Sequence, residues 1–456
     1  MHGTRGVDVA EAIDKAPVSA VQKRAIGLCI AIAVIDGFDA QSIGFAAPRI
    51  AEDWETAVSS FGPVFSLGLV GMMLGGMIFG PVSDRIGRRS VIIGCTVMFG
   101  VLTLVTSQAQ SVETLMALRF LTGLGLGGIT PNLIALAAEY APARLRTTVV
   151  TVVVCAFSVG GFAGGFIAAW LIPALGWRGL FIIGGVIPLA IAAVAYRYLP
   201  ESVRYLTVAG RTEQAAEIVR RINPSIPPGS VPELPGTTTT EKSSIVSLFA
   251  DGRTTRTLIL WAVFFMNLLV IYFVLSWMPS LFGQAGLSSS TALIATSLFN
   301  LGGVVGGIVI GRLSDTRDRP FGTIATAYVI GAVFIGITAL AFDIVPVLLV
   351  AVFLIGVGVS GSQTGISAVA AATYPTNTRA TGVGWAYGIG RIGSIIGPTL
   401  GGLLIGIGLA PVTIFTLTII PTLLAAVAIM QLARVVADRS GTKKPGASSA
   451  EVLETT

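Results

Sequence analysis

Four ionisable side chains interrupt long apolar stretches of this sequence: Asp36, Asp39, Arg119 and Arg391. If those stretches cross a bilayer, each charge costs about 2.5–3.5 kcal/mol on insertion scales, so it normally marks a functional site or an ion pair. Asp36 and Asp39 are three residues apart and would share one face of a helix. Two such carboxylates, partly shielded from water, are not both stable as anions. This pair is therefore a candidate proton carrier; the alternative is one aspartate permanently paired with an arginine.

The two arginines suit different roles. Arg391 is predicted near the middle of a helix, where its permanent charge and planar fork of donors suit a carboxylate ligand. Tyr387, about one helical turn earlier, could supply an aromatic wall beside that ligand. The alternative for Arg391 is a permanent salt bridge to the first helix. Arg119 is left open between substrate or proton coupling and a structural bridge to Asp36 or Asp39.

Uncharged polar residues recur at helical spacing on one otherwise apolar stretch: Ser360, Gln363, Thr364 and Ser367. A polar stripe on a membrane helix usually faces a cavity, and we interpret the first three as candidate substrate contacts. The alternative is hydrogen bonding between helices, worth about 0.6 kcal/mol per contact. Three further residues are weaker candidates for the same site: Asn132, Asn267 and Asn300.

The composition shows what kind of protein must position these side chains. Charged residues make up 11% of the 456 residues, whereas a soluble domain has roughly 25%. Hydrophobic residues make up 53%, and the mean hydropathy is +0.84. A soluble chain of this length has no core large enough to bury so much apolar surface. The composition excludes disorder, a secreted disulfide scaffold and most soluble enzymes, and it indicates a polytopic membrane protein.

Histidine and cysteine usage narrows the chemistry further. The single histidine, His2, lies in a polar leader, so a Ser-His-Asp triad has no base and a histidine metal site has no ligands. The cysteines lie far apart in apolar stretches and are interpreted as small core residues: Cys29, Cys95 and Cys155. We therefore expect no metal, no cofactor and no enzymatic activity. The net charge of +6 is assigned to cytoplasmic loops rather than to nucleic-acid binding.

Stretches free of charge mark the membrane spans, since a helix needs about 20 apolar residues to cross a bilayer. They predict an all-α membrane protein with twelve transmembrane helices in two six-helix halves. The predicted spans are 25–47, 60–82, 90–108, 115–138, 148–172, 179–199, 257–281, 291–311, 321–342, 344–371, 380–405 and 411–433.

Lysine and arginine placement predicts the orientation. With both termini cytoplasmic, Arg49 and Arg178 are the basic residues left in outer loops, and the bias agrees with the positive-inside rule. We therefore expect a multi-pass protein of a bacterial inner membrane, without a cleavable signal peptide. The segments are a cytoplasmic leader (1–24), an N-terminal half (25–199), a central loop (200–256), a C-terminal half (257–433) and a cytoplasmic tail (434–456). The central loop is predicted to contain one amphipathic helix (211–222) in a linker without a fold of its own.

A loop sequence repeats at the same corner of each half. Residues 80–89 read GPVSDRIGRR after the second span, and residues 311–320 read GRLSDTRDRP after the eighth. Such duplication is typical of transporters built from two related halves around a central site. The residues assigned to a gating role are Gly80, Asp84, Arg85, Gly87 and Arg88 in the first copy, with Asp315 and Arg319 in the second.

The first copy resembles the G-x-L-x-D-R-x-G-R-R signature of the major facilitator superfamily, with Val82 in place of leucine. The resemblance extends over the chain, to Arg119, to E-x-x-P-x-x-x-R at 139–146 and to PESVR at 200–204. It implies alternating access, in which Asp84 and the loop arginines hold the two halves together while the site is open to the outside. Simple positive-inside anchoring is the alternative role of this loop. The second copy departs from the pattern at 316, 318 and 320.

Within that superfamily, Asp36-Gly37-Phe38-Asp39 resembles the D-G-x-D motif of the aromatic acid:proton symporter family, as does the run GLGLGGITPN at 123–132. The resemblance implies proton-driven import of benzoate, a hydroxybenzoate or a similar carboxylate by a chain that acts as a monomer in the lipid bilayer. A symporter for a non-aromatic carboxylate such as a muconate would need the same charges. A proton-driven drug exporter fits Arg391 less well, and a channel or membrane enzyme is the weakest alternative.

Overall fold

The computed structural model describes residues 6–227, 231–233, 245–316, 320–375 and 378–441. Within these ranges, eleven helical segments are long and apolar enough to cross a membrane: Ala20–Asp53, Val58–Ile86, Arg88–Thr106, Val112–Tyr140, Ala143–Tyr198, Thr254–Gln284, Ser289–Ser314, Pro320–Leu340, Val345–Thr373, Thr381–Gly406 and Pro411–Ala437. Each segment overlaps a span that the sequence predicted, and the long fifth segment overlaps two.

The α-helices are numbered in chain order. They are α1 (Val9–Lys15), α2 (Ala20–Asp53), α3 (Phe61–Ile86), α4 (Arg88–Thr106), α5 (Val112–Tyr140), α6 (Ala143–Tyr198), α7 (Val203–Val208), α8 (Thr212–Ile222), α9 (Thr254–Gln284), α10 (Ser289–Thr316), α11 (Pro320–Leu340), α12 (Val345–Ile355), α13 (Ser362–Thr373), α14 (Arg379–Gly406), α15 (Pro411–Thr416) and α16 (Ile419–Gly441). A π-helical turn, Gly356–Ser360, joins α12 to α13. We call α2–α6 the first helix group and α9–α16 the second helix group.

Helix α6 has a break within it. It is 56 residues long, but Gly176 has φ 70° and ψ 175°, which is not a helical conformation. A side chain at this positive φ would be strained, whereas glycine is not. A continuous helix of that length would measure about 84 Å, against a hydrocarbon layer of about 30 Å. The predicted spans 148–172 and 179–199 lie on the two sides of this break.

Helix α2, which holds the acidic pair, is longer than the predicted 25–47. Its start is fixed by a capping box in which Ser19 and Gln22 exchange backbone and side-chain hydrogen bonds. Gln22 also donates to the carbonyl of Tyr140 at 2.9 Å, which ties α2 to the end of α5. Further along, Gly37 lies against α6 so closely that a Cβ there would be 1.8 Å from the carbonyl oxygen of Phe157. Only glycine allows the two backbones this contact.

The leader and the central loop pack together beside the first helix group. Strand β1 (Gly6–Asp8) pairs in parallel with β2 (Val231–Glu233), and Asn223 donates to the carbonyl of Ala12 at 3.1 Å. Helix α8 buries its apolar face, as predicted for 211–222. That the central loop has no fold of its own stays a prediction; the partners of β2 and of Asn223 come from the distant leader, and no local pattern in the sequence signals them.

The two helix groups contact each other at the end of the bundle where α2 ends and α3 begins. We call this the closed end. There Ser66 donates to the carbonyl of Ile395 at 2.8 Å and forms a hydrogen bond with Thr399 at 2.7 Å. Trp277 of α9 packs edge-on against Phe65 of α3, with ring centroids 5.1 Å apart. Apolar packing and hydrogen bonds therefore hold the two helix groups together at this end.

Candidate functional site

Asp39 and Arg119 form a buried ion pair between α2 and α5. Asp39 is fully buried and Arg119 is 4% exposed, and Asp39 Oδ2 lies 3.5 Å from Arg119 Nη1. Thr103 donates to the other carboxylate oxygen at 2.6 Å, and Arg119 donates to Thr106 at 3.0 Å. The guanidinium also lies 5.1 Å from the ring centroid of Phe181. The bridge to Asp39 is one of the two roles that the sequence left open for Arg119.

Asp36 has fewer partners. It is 1% exposed, and Thr130 of α5 donates to its Oδ2 at 2.7 Å. Its Oδ1 is buried and, like Oδ2 of Asp39, has no hydrogen-bond partner among the described residues. Among the described residues, no arginine, lysine or histidine nitrogen lies within 4.0 Å of either Asp36 oxygen. The two members of the predicted acidic pair therefore occupy different electrostatic environments.

Arg391 of α14 faces the first helix group without forming an ion pair in the described part of the chain. It donates to the hydroxyl of Tyr272 on α9 at 3.1 Å, and its guanidinium lies 5.8 Å from the centroid of that ring. The charge of Arg391 acts on Asp36 from beyond ion-pair distance. The permanent salt bridge to the first helix that the sequence left open for Arg391 is absent from the described residues.

Two adjoining cavities lie between α2, α3, α5, α6 and α9. One contains about 400 Å³ of space between atoms, part of it open to solvent, and has Gln41, Phe65, Phe157 and Tyr272 in its wall. The second contains about 330 Å³, also partly open to solvent, and reaches Asp39 and Arg119. Their common wall is apolar and consists of Ala40, Ile43, Phe65 and Leu69. Apolar walls with a few polar groups are typical of small-molecule sites.

A polar cluster on the second helix group contains several predicted site residues. Asn267 donates to Gln363 Oε1 at 2.6 Å and accepts from the hydroxyl of Tyr328 at 2.9 Å. The hydroxyls of Ser367 and Tyr387 form a hydrogen bond of 2.7 Å. The structure thus brings Asn267, Gln363 and Tyr387 to one region between α9, α13 and α14.

The predicted polar stripe divides between two neighbours. Ser360 and Thr364 lie against α10, where a Cβ added at Gly303 would be 2.4 Å from Ser360 Oγ and one at Gly307 would be 2.8 Å from Thr364 Oγ1. Gln363 instead points towards α9. Residues three or four apart share a face only approximately, and the π-helical turn at Gly356–Ser360 changes the local periodicity. Ser360 and Thr364 therefore lie close to α10, and their role as substrate contacts stays a prediction.

The side chains of the two remaining asparagines form hydrogen bonds with other groups of the protein. Asn132 donates to the carbonyl of Gly128 at 2.7 Å, within its own helix. Asn300 of α10 forms a reciprocal amide pair with Gln41 of α2, at 2.8 and 3.2 Å. This pair joins the two helix groups, and both side chains are buried. The sequence analysis missed Gln41, although a glutamine two residues after Asp39 in an apolar helix was the available signal.

The first predicted gating loop is anchored within the first helix group. Helix α3 ends at Gly87, which has φ 97°, and a Cβ there would lie 2.3 Å from Glu201 Oε2. Arg88 forms an ion pair with Glu139, and Ser202 donates to the same carboxylate at 2.6 Å. The loop therefore connects the end of α3 with the ends of α5 and α6.

The other gating residues do not bridge the helix groups within the described part of the chain. Asp84 and Arg85 are exposed, and the Arg85 carbonyl accepts a hydrogen bond from Tyr205 at 3.3 Å. The Gly80 carbonyl accepts from Ser83 at 2.6 Å. In the second copy, the side chain of Asp315 and the whole of Arg319 lie outside the described residues.

Comparisons with known proteins point to one family. The chain matches the sequence profile of the Major Facilitator Superfamily over residues 29–335 and 286–454. It is 39% identical over 426 residues to a gallate transporter of Pseudomonas putida, covering 93% of this chain and 94% of that protein. It is 37% identical over 430 residues to the 4-hydroxybenzoate transporter PcaK of Pseudomonas aeruginosa, covering 93% and 95%. A benzoate transport protein of Acinetobacter baylyi is 31% identical over 434 residues, with 93% and 92% covered.

Solved structures support the fold. A bacterial homologue of the human lysosomal transporter Spinster, inward-facing and occupied, matches with a TM-score of 0.72 at 15% identity, over 92% of this chain and 98% of that one. The xylose transporter XylE from Escherichia coli, in a partially occluded inward-open conformation, matches with a TM-score of 0.67 at 16% identity, over 90% and 99%. At this level of identity the likeness concerns the fold alone.

Proposed function

Because the chain belongs to the major facilitator superfamily, a family of membrane transporters, we propose that it imports an aromatic carboxylate by proton symport. It is a multi-pass protein of the bacterial inner membrane with an all-helical fold. The observation that carries the substrate class is the 37–39% identity, over 93% of the chain, to transporters of gallate and 4-hydroxybenzoate. A benzoate or a hydroxybenzoate is the substrate that we propose.

The proposed arrangement in the membrane has twelve crossings. Helix α6 supplies two of them, one on each side of the break at Gly176. The excess of lysine and arginine in the loops between alternate spans supports a cytoplasmic location for both termini. The closed end would then face the periplasm, and an inward-open state is the proposed assignment of this conformation. The segments assigned from the sequence follow the same division, and a monomer is the proposed functional unit.

Arg391 is the proposed binding residue for the substrate carboxylate. It donates to the neutral hydroxyl of Tyr272 rather than to an acid, and a carboxylate is a stronger partner for a guanidinium than a phenol is. The rings of Tyr272 and Phe65 line the cavity beside it and offer faces against which an aromatic substrate can pack. The amides of Gln363 and Asn267 and the hydroxyl of Tyr387 lie on the same helix group. They are the proposed partners for polar ring substituents.

Alternating access supplies the transport step. A proton neutralises one carboxylate of the acidic pair, and an anion neutralises the guanidinium of Arg391. The loaded site then holds no unpaired charge, so it can close away from water. When the periplasmic end opens, the Gln41–Asn300 pair must break because its members belong to different helix groups. The exposed Asp84 would then contact the second helix group as the cytoplasmic end closes.

Uptake into cells tests the proposal. Cells expressing the protein are given labelled 4-hydroxybenzoate, gallate or benzoate, with and without a protonophore. We expect saturable accumulation of at least one of them, abolished by the protonophore and competed by unlabelled aromatic acids. Competition by muconate but by none of the aromatic acids would instead identify a non-aromatic carboxylate. Efflux of the aromatic acids, or no energised uptake of any of them, would overturn the proposed function.

A further inference from the structure

The two aspartates of α2 differ in whether their charge is balanced. Both are buried, both accept one threonine hydroxyl at 2.6–2.7 Å, and they are only three residues apart. The two carboxylates differ in their distance to the nearest positively charged side chain. This contrast allows the proton-carrying role, which the proposed function gives to the pair, to be assigned to one member.

Asp39 is held as an anion by its surroundings. Arg119 lies 3.5 Å from Oδ2 and Thr103 donates to Oδ1. Arg119 is itself fixed by Thr106 and by the face of Phe181. An arginine remains charged throughout, so a proton added to Asp39 would leave a buried, unpaired guanidinium. Breaking a buried pair by neutralising one member is strongly unfavourable, and the Asp39–Arg119 unit is therefore neutral without a proton.

Asp36 has no such counter-charge. Thr130 of α5 donates to Oδ2. Among the described residues Oδ1 has no hydrogen-bond partner; Oδ2 of Asp39 has none either, but it lies 3.5 Å from Arg119. The charges that act on Asp36 are Asp39 on its own helix, which repels an anion, and Arg391 of α14, which attracts one from beyond 4.0 Å. On the remaining close neighbour, α6, the backbone of Phe157 packs against the adjacent Gly37. A buried carboxylate with one neutral donor and a distant cation is stabilised by taking up a proton.

We propose that Asp36 is the residue that carries the transported proton, and that Asp39 remains ionised against Arg119 throughout the cycle. This assignment rests on the proposed function. It also explains the coupling, because Arg391, whose charge attracts ionised Asp36, is also the proposed carboxylate site. An anion bound to Arg391 removes the attraction that favours ionised Asp36, so substrate and proton bind together. By linkage the effect is reciprocal, and a proton on Asp36 strengthens substrate binding.

A matched pair of threonine variants tests the assignment while both aspartates stay in place. Thr130→Val removes the one side-chain donor to Asp36 among the described residues, and Thr103→Val removes a donor to Asp39. A hydrogen bond to a charged group is worth roughly one pH unit or more of proton affinity. We expect Thr130→Val to move the alkaline decline of uptake upward by about one pH unit, with the Thr103→Val profile unmoved. An upward shift for Thr103→Val alone, or no shift for either variant, would overturn the proposal.

Aspartate variants give a second, independent readout. We expect Asp36→Asn to lose protonophore-sensitive accumulation while retaining exchange of labelled for unlabelled substrate at a rate that no longer depends on pH. The double variant Asp39→Asn/Arg119→Gln removes both charges of the buried pair together, and we expect its exchange rate to keep a dependence on pH, which Asp36→Asn loses. Normal accumulation by Asp36→Asn would overturn the assignment. If the wild-type protein shows no proton-driven uptake, the proposed function fails; if only Asp36→Asn behaves like wild type, the inference alone fails.

Discussion

The reciprocal amide pair between Gln41 and Asn300 should control how readily the closed end opens. The pair links α2 of the first helix group with α10 of the second through hydrogen bonds of 2.8 and 3.2 Å between buried side chains. Replacing both residues by leucine removes the two bonds without leaving an unpaired amide. Each buried hydrogen bond contributes about 0.5–1.5 kcal/mol, so the double variant should weaken the closed end by about 1–3 kcal/mol.

That loss is large on the scale of a conformational equilibrium. Since about 1.4 kcal/mol corresponds to a factor of ten, Gln41→Leu/Asn300→Leu should shift the equilibrium between closed and open at this end by roughly 5- to 150-fold. A single cysteine at Ser276, which lies in the cavity wall and is 9% exposed, can report the change in a background without Cys29, Cys95 and Cys155. The measurement is the rate of labelling by a membrane-impermeant maleimide added from the periplasmic side.

The matched control is Asn132→Leu, which removes a buried asparagine whose amide bonds within its own helix. We expect faster labelling in the Gln41/Asn300 double variant and an unchanged rate in the control. Equal rates in the double variant and the unmodified background would refute the idea that the amide pair holds this end closed. Equal acceleration by the control would show that the effect is general loosening of the protein.

The binding site and the first gating loop give two further expectations. Arg391→Ala should weaken carboxylate binding about tenfold or more, as expected for loss of a charge-assisted hydrogen bond, whereas Tyr272→Phe should keep most of the affinity. Equilibrium binding of labelled substrate measures the affinity of both variants. Unchanged affinity in Arg391→Ala would mean a purely structural arginine. Gly87→Ala should lower the melting temperature of the detergent-purified protein, because φ is 97° and the added carbon meets Glu201. Gly80→Ala, where a Cβ meets nothing within 4 Å, is its control, and equal melting temperatures would contradict the strain argument.

The helices could be located from the sequence because the bilayer imposes a simple requirement. Long stretches free of charge are visible in one dimension, and each predicted span overlaps an apolar helix of the structure. The predicted ends of the helices were less accurate. Helix α2 begins at Ala20, before the apolar stretch, because a capping box fixes its start there. Pairing between the leader and the central loop could not be anticipated, since β1 and β2 are more than two hundred residues apart.

For the candidate site, the sequence identified the charged residues but not their partners. A charge in an apolar helix is conspicuous, so Asp36, Asp39, Arg119 and Arg391 were found directly. Which arginine pairs with which aspartate depends on helix rotation and distance, and only the structure shows that Arg119 lies beside Asp39. For the same reason the sequence did not reveal the hydrogen-bond partner of Asn300, which is Gln41 on a helix distant in sequence.

Proton-driven uptake of an aromatic acid by the purified protein is the most direct test of the central claim. Proteoliposomes with an alkaline interior are given labelled 4-hydroxybenzoate, gallate or benzoate, and internal label is followed until it is steady. With one proton for each monoanion, a gradient of about one pH unit should support up to tenfold accumulation, lost when the gradient is collapsed. Equilibration of every aromatic acid without accumulation, at any imposed gradient, would contradict proton symport by this protein.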